Sequence, residues 1–389
     1  MATVMQNRVA IAGVGYSETG RKLPYSDDQL VVQAVKAALD DAGLKASDVD
    51  GISTTGGVSM SIGALLGMLP LNWFFTSSLY GPSFAETAVM AMDAIAAGSC
   101  HTALALRVIR QPRAEDHPVA AITAGGSADG PARVGGSQQW TAPFGGSLPA
   151  AFIGGLQMQR YMSEFGATEE DFATHAAVQR RHATLNSDAI FRAPLGDDEY
   201  AQSRFVSKPV RLLDCDYPVD SASAVIFTTP ERARQCRKPA VLVDSWAMSA
   251  VSDIDMSLLD DFTSNAIKPC SDTLWSRTEL RAADVDTAGL YDGFSIITFE
   301  WLDGLGFCGR GEAPQFIRDG HTELGGSLPT NTDGGACNVG RRHGANFCIE
   351  SVRQLRGECG DRQVPGAEVA VWSNATGAFA GASLLTVDR

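Results

Sequence analysis

Positive charge is scarce in this 389-residue sequence: 31 Lys and Arg stand against 45 Asp and Glu, a formal net charge of −14. Nucleic-acid affinity depends on clustered Lys and Arg that release counterions, and no basic run of that kind occurs, so the reading expects no nucleic-acid partner. Long apolar runs are also missing. None approaches the roughly 18 to 20 residues that span a bilayer. The opening MATVMQNRVAIAGVG lacks the charged stretch, apolar core and small-residue cleavage site of an export signal. A soluble, cytoplasmic chain without membrane contact is therefore expected. The eight cysteines (Cys100, Cys215, Cys236, Cys270, Cys308, Cys337, Cys348, Cys359) form no CxxC and no close Cys/His spacing. That speaks against a zinc site or a disulfide framework and for buried reduced thiols. The glycine runs GGSADG and FGGS fit neither GxGxxG nor GxxxxGK[ST], and read as loops.

What the chain does contain is alternation of strand and helix, twice over. RVAIAGVG (8–15) reads as a strand; SDDQLVVQAVKAALDDAGL follows as an amphipathic helix that Ser26 or Asp27 can cap and Gly43 can end. Much later PAVLVDSWAM (239–248) precedes a helical stretch around AIKPCSDTLWSR and then RAADVDTAGLYDGF (281–294). The segments at Asp48–Asp50 and Asp284–Asp286 share a D-V-D motif, and residues 87–106 and 345–372 both read as helix, glycine turn, strand. This predicts two similar βαβ-rich halves: residues 1–235, with a loop or lid insertion at about 109–235, and residues 236–389. Catalytic groups in such α/β folds sit in loops just after strands. In THAAVQRRH, His175 and His182 are expected on a solvated polar face.

Three motifs in the C-terminal third carry a family resemblance: LYDGFS (290–295), NTDGGACNVGRRHGA (331–345) and SNATGAFAGAS (373–383). They resemble the catalytic loops of thiolases, especially the sterol-carrier-protein-x branch. The resemblance implies an α/β thiolase fold of duplicated βαβαβαββ halves in a layered αβαβα arrangement. GLGFCGRGEAPQFI, LPTNTDGG and LLDCDYPVDSASAVIF are further similar to the thiolase-like aldolases of bacterial steroid side-chain degradation.

Several thiolase groups have no counterpart here. The nucleophilic cysteine of the family falls at Gly81, and no cysteine precedes Cys100. Glycine cannot carry an acyl group, so covalent catalysis through that position is excluded. The catalytic histidine position is Arg341, with His343 two residues on, and the second cysteine near SNATGAFAG is absent. Where thiolases write N-E-A-F this chain has Tyr291-Asp292-Gly293-Phe294. A tyrosine at that place resembles the acid–base tyrosine of the aldolases, whose second tyrosine aligns with Arg341.

The resemblance implies retro-aldol cleavage of a β-hydroxyacyl-CoA with a steroid or similarly bulky group, giving a ketone and a short acyl-CoA such as propionyl-CoA. Such cleavage needs a base for the hydroxyl proton, a stabiliser for the enolate oxygen and a proton for carbon. Tyr291, Arg341 and His343 are the expected catalytic residues: Arg341 favours the Tyr291 phenolate, because a tyrosine with a pKa of about 10 is a poor base alone. His343 and loop N–H groups hold the enolate oxygen. Tyr80, Gly81, Asp292, Asn331, Gly335, Asn374 and Gly377 are expected at the substrate. Asp292 either orients Tyr291 or caps the helix starting at Phe294, with capping favoured. No cofactor beyond substrate CoA and no metal is implied. The implied assembly is a homodimer with an accessory OB-fold and zinc-ribbon protein, a heterotetramer. A different class of function, a non-catalytic acyl-CoA or lipid-binding subunit of a thiolase complex, separates from this one by turnover.

Overall fold

Val9–Tyr16 forms strand β1, buried almost throughout, as its run of small and β-branched residues requires of a strand covered on both faces. The computed structural model describes residues 6–55, 59–77, 84–111, 150–251, 263, 265–375 and 377–388. Helix α1 (Asp27–Ala42) starts at Ser26, whose side chain and Gln29 form a capping box, and ends at Gly43, left-handed at φ 72°. Its stripe of Leu30, Val31, Ala34, Val35 and Ala38 is buried.

The remaining strands are β2 (Gly51–Thr55), β3 (Trp73–Thr76), β4 (Thr102–Ile109), the small ribbon β5 (Phe205–Ser207) and β6 (Val210–Arg211), β7 (Ser221–Thr228), β8 (Val241–Ala250), β9 (Thr287–Gly289), β10 (Val369–Ala375) and β11 (Phe379–Val387). Together with β1, all of them but β5 and β6 make one nine-stranded mixed sheet in the order β3-β2-β4-β7-β1-β8-β11-β10-β9. The order reads outward in both directions from the antiparallel β1–β8 pair, which meets at Val9–Ile11 and Val241–Val243. Residues 1–235 supply β1 to β7 and residues 236–389 supply β8 to β11.

The main helices after α1 are α2 (Ser59–Leu66), α3 (Phe84–Ala96), α4 (Ala150–Phe165), α5 (Glu169–Thr184), α6 (Ile267–Ser276), α7 (Ser295–Gly304) and α8 (Ala345–Leu355). Helix α1 packs on β1 and β7, and α6 on β8 and β11. Between the halves lie α3, which touches β4 and β2 but also β8 and β11, and α8, which touches β9 and β10 but also β1 and β7. The layered α/β arrangement of the sequence reading is thus present. The period of two along β4 decides which face sees which layer: Leu104, Leu106 and Val108 join α1, whereas Ala103 and Ala105 join α3. Burying each such leucine contributes about 1.5–3 kcal/mol. Arg107 continues the second series and points toward the middle layer.

Close approach of α3 to β11 depends on Gly381, where a Cβ would come within 2.6 Å of the Ala85 Cβ. The Phe84 and Trp372 rings, from opposite halves, meet there at 5.9 Å.

Two expectations are corrected. The segment 109–235 is not all insertion, because Ser221–Thr228 is β7, lying between β4 and β1. Its alternating small and apolar residues mark a buried strand. His175 and His182 are not solvated: they are 3% and 2% exposed, since α5 is enclosed by α7 and by the short helices Ala313–Arg318 and Ala336–Val339. His175 meets the Phe299 ring edge-on, and burial lowers its pKa to about 3.

Candidate active site

Strand β9 ends at Gly289, where α8 passes so close that a Cβ would stand 2.8 Å from the Phe347 Cβ. The next residue is pinned at both backbone groups: Leu290 N–H donates to Asn331 Oδ1 at 2.7 Å and its carbonyl accepts from Asn331 Nδ2 at 2.8 Å. Asn331 itself holds φ 52°, a left-handed conformation that asparagine tolerates. Its backbone carbonyl faces His182 Nδ1 at 3.3 Å. Asn331 was expected at the substrate, but its side chain is spent on holding the loop that presents Tyr291.

Tyr291 N–H donates to Ser373 Oγ at 3.3 Å, and its ring stands edge-on to Phe347. The phenol folds back over Gly293, where a Cβ would lie 2.7 Å from the hydroxyl oxygen. Burial raises the Tyr291 pKa above its ordinary value; Asp216 and Asp292 raise it further, while Arg341 and Arg107 pull it down. The resting side chain is a neutral phenol. Arg341 was expected to favour the phenolate, and it does lower the Tyr291 pKa, but burial raises it by more.

Arg341 is near Tyr291, but as half of an ion pair: its Nε donates to Asp216 Oδ1 at 2.8 Å, and its backbone N–H donates to the Tyr217 carbonyl at 2.7 Å. Burial raises the Asp216 pKa and Arg341 opposes that. The carboxylate's negative charge cancels part of the cation's effect on the phenol.

Asp292 does not cap the following helix, whose N-cap is Phe294 without a side-chain bond. It turns the other way. Its Oδ1 accepts from Ala336 N–H and its Oδ2 from Gln179 Nε2, both at 2.9 Å. Burial pushes its pKa up to about 8, with Asp333 and Asp216 adding to the rise against the Ala336 and Gln179 bonds. Gly335, at φ 72°, abuts this carboxyl. The Cys337 thiol donates to the Asp292 carbonyl at 3.6 Å, and burial followed by Asp292 raises its pKa well above the usual thiol value.

His343 arrives from the opposite side. Its backbone is left-handed at φ 49°, and its carbonyl accepts from Asn374 Nδ2 and from Phe84 N–H, the latter at 3.3 Å. Asn374, expected at the substrate, thus ties down the His343 segment, and its Oδ1 is buried without a partner among the described residues. Arg107 Nη2 lies 2.7 Å from His343 Nδ1. Burial, then Arg107 and Arg341, hold the His343 pKa well below its ordinary value. Gly377, at φ 92°, turns the chain between β10 and β11, and its carbonyl accepts from Ala266 N–H at 2.8 Å. Tyr80 and Gly81 lie outside the described residues.

Sequence reasoning missed Arg107, Gln179 and Asp216. Arg107 had a signal: it is the one charge in the strand TALALRVI, and a charge in a doubly covered strand must find a partner or a purpose. Asp216 had none apart from standing in LLDCDYPVD, and Gln179 is indistinguishable in sequence from a surface glutamine.

Comparison with known proteins agrees with this architecture. Residues 249–388 match the family model of the thiolase C-terminal domain-like group. A protein of Thermomonospora curvata described as a steroid side-chain-cleaving aldolase is 34% identical, over 91% of this chain and 92% of that one. The chain belongs to the thiolase superfamily. Within this superfamily it is also 33% identical to the 17-hydroxy-3-oxo-4-pregnene-20-carboxyl-CoA lyase of Mycobacterium tuberculosis, over 91% of this chain and 93% of the relative. A solved structure described as an Ltp2-ChsH2(DUF35) aldolase superposes with a TM-score of 0.88 at 31% identity, covering 99% of both chains. The superfamily branch and fold expected from the three motifs are those found.

Proposed function

We propose that this thiolase-superfamily protein is a carbon–carbon lyase that cleaves a steroid β-hydroxyacyl-CoA between ring and side chain, releasing a ketosteroid and propionyl-CoA. The observation that carries this reading is the 34% identity, across nine-tenths of both chains, with a protein described as cleaving steroid side chains. The site's chemistry supports it. The tertiary hydroxyl loses its proton and becomes the ketone; the electron pair of the broken bond passes to Cα and the thioester oxygen as an enolate; Cα then takes a proton. One proton leaves oxygen and one arrives at carbon, so no oxidant, reductant or cofactor beyond substrate CoA is needed.

Tyr291 serves both proton transfers. Its phenolate takes the hydroxyl proton and returns it to Cα within the same turnover. Burial makes that phenolate scarce at neutral pH, and Arg341 with Arg107 makes it reachable. His343 faces the enolate oxygen.

The active assembly in this reading is a homodimer with an accessory OB-fold and zinc-ribbon polypeptide. Two observations support a partnered surface. The solved relative is named together with a second component, ChsH2(DUF35), and the sheet's edge strand β3 leaves Phe74 57% exposed beside exposed Leu65 and Leu69.

The test is direct. Purified protein, alone and with a co-expressed zinc-ribbon partner, is incubated with 17-hydroxy-3-oxo-4-pregnene-20-carboxyl-CoA, and propionyl-CoA is sought by mass spectrometry. Binding without release of propionyl-CoA in both preparations would replace the lyase by a binding subunit.

A further inference from the structure

Arg107 is the residue whose presence the fold does not explain. It stands in the middle of the sheet, paired in register with Thr55 of β2 and Ser223 of β7, and only 8% of it is exposed. Its Nε and Nη1 have no acceptor among the described residues. An unpaired N–H in a core loses its hydration without replacement and so destabilises the fold. An apolar residue would continue the Ala103 and Ala105 face of the strand, so the guanidinium is a burden on stability. The bond it does make is to His343 Nδ1, at 2.7 Å.

That bond has one possible polarity. A guanidinium has N–H donors and no acceptor, so His343 Nδ1 must accept. The imidazole proton then sits on Nε2. The main chain that carries the ring is held in place, because the His343 carbonyl accepts from both Phe84 N–H and Asn374 Nδ2 at φ 49°. Two facing cations, Arg107 and Arg341, also oppose a second proton on the ring.

We propose that Arg107 is a positioning residue that locks His343 in the tautomer carrying its proton on Nε2, so that His343 presents one fixed N–H donor to the thioester oxygen as the enolate forms. The inference rests on the lyase reading for the identity of that oxygen, and on geometry alone for the tautomer. A preorganised donor aimed at developing charge contributes about 10²–10³-fold to turnover when removed singly. Arg107 also lies within electrostatic reach of Tyr291, whose phenolate it favours.

Two readouts test it. In the full-length protein labelled with 15N-histidine, the His343 ring is expected to show an unprotonated Nδ1 and a protonated Nε2 from about pH 5 to about pH 9. Arg107→Met should give mixed tautomers and a ring that protonates nearer the ordinary histidine range. Kinetically, Arg107→Met and the charge-conserving Arg107→Lys should each lower kcat and kcat/KM together, by roughly 10²–10³-fold and roughly 10-fold respectively, with KM nearly unchanged. A parent ring protonated on Nδ1 overturns the proposal, as does Arg107→Lys with full kcat. The ring spectrum of the parent needs no foldable variant. A parent that cleaves nothing but shows the Nε2–H ring sinks the lyase reading and leaves the tautomer assignment standing.

Discussion

Asp292 and Gly335 compete for one space: a Cβ at position 335 would lie 2.1 Å from the Asp292 carboxyl oxygen Oδ2. Gly335 also has φ 72°, so an alanine there meets both backbone strain and a clash. Gly366 shares φ 72° but has nothing within 4 Å of its would-be Cβ, which makes it the internal control. Gly366→Ala is expected to lose only the strain energy, about 1 kcal/mol. Gly335→Ala should lose about 2–4 kcal/mol and most of its turnover, because Asp292 must leave Gln179 and Ala336. Urea melts of both variants measure the difference; equal losses would mean that the carboxyl yields freely.

Tyr291→Phe keeps the ring on Phe347 and removes only the hydroxyl. Turnover should fall by roughly two to four orders of magnitude with the melting temperature within a few degrees of the parent. Since the parent phenol's pKa is raised, its phenolate fraction grows about tenfold per pH unit throughout the neutral and mildly alkaline range. Cleavage by the parent should accelerate with pH accordingly, and Tyr291→Phe should not. A parent profile flat above neutrality removes the phenolate from the mechanism.

Asp292 gives the fold a pH dependence of unusual sign. Its folded pKa, about 8, lies above the ordinary aspartate value of 3.8, so the folded state holds a proton that the unfolded chain has released. That contribution to stability is complete below the unfolded pKa and is lost as pH rises through the folded one. Between roughly pH 4 and pH 8 the parent should therefore become less stable with rising pH at this site. Asp292→Asn, with Gln179 turning its carbonyl toward the new amide, should flatten the dependence. Guanidinium melts across that range compare the two, and parallel slopes would place the ionisation elsewhere.

Arg341 and Asp216 are predicted to be coupled. Removing either leaves a charge without its partner, and because the Arg341 side chain is 34% exposed the loss is moderated by solvent, about 1–3 kcal/mol. Arg341→Met combined with Asp216→Asn should be less destabilised than the sum of the single variants. Arg341→Met should also slow cleavage at neutral pH, since one of the two cations favouring the phenolate is gone. Additive stabilities would show that the two residues contribute nothing as a pair.

The scaffold was readable in advance because its signals are local. Ser26 and Gln29 write a capping box, Gly43 writes a left-handed stop, and the doubly buried strands are plain apolar runs. Tyr291, Arg341 and His343 were placed by motif, and all three belong to one electrostatic neighbourhood around the phenol and the ring. What the sequence hid were pairings across distance. Nothing near Arg341 announces that Asp216, far back in the chain, will neutralise it. Nothing in THAAVQRRH tells that α5 is enclosed, because its enclosing helices follow more than a hundred residues later. Asn331 and Asn374 were expected at the substrate, but their side chains bond backbone groups of Leu290 and His343, and a motif letter does not say which atom it serves.

The bond between Arg107 and His343 has a consequence for how the chain is made. It joins residues 236 positions apart, so Arg107 leaves the ribosome long before its acceptor exists. Until then a native-like β4 would bury a guanidinium with none of the partners described for it, and closing so long a loop is slow relative to local helix formation. The N-terminal half should accordingly stay open around β4 when expressed by itself, exposing that strand to solvent and to protease. Synthesis of His343 supplies the missing acceptor and lets that part of the sheet close.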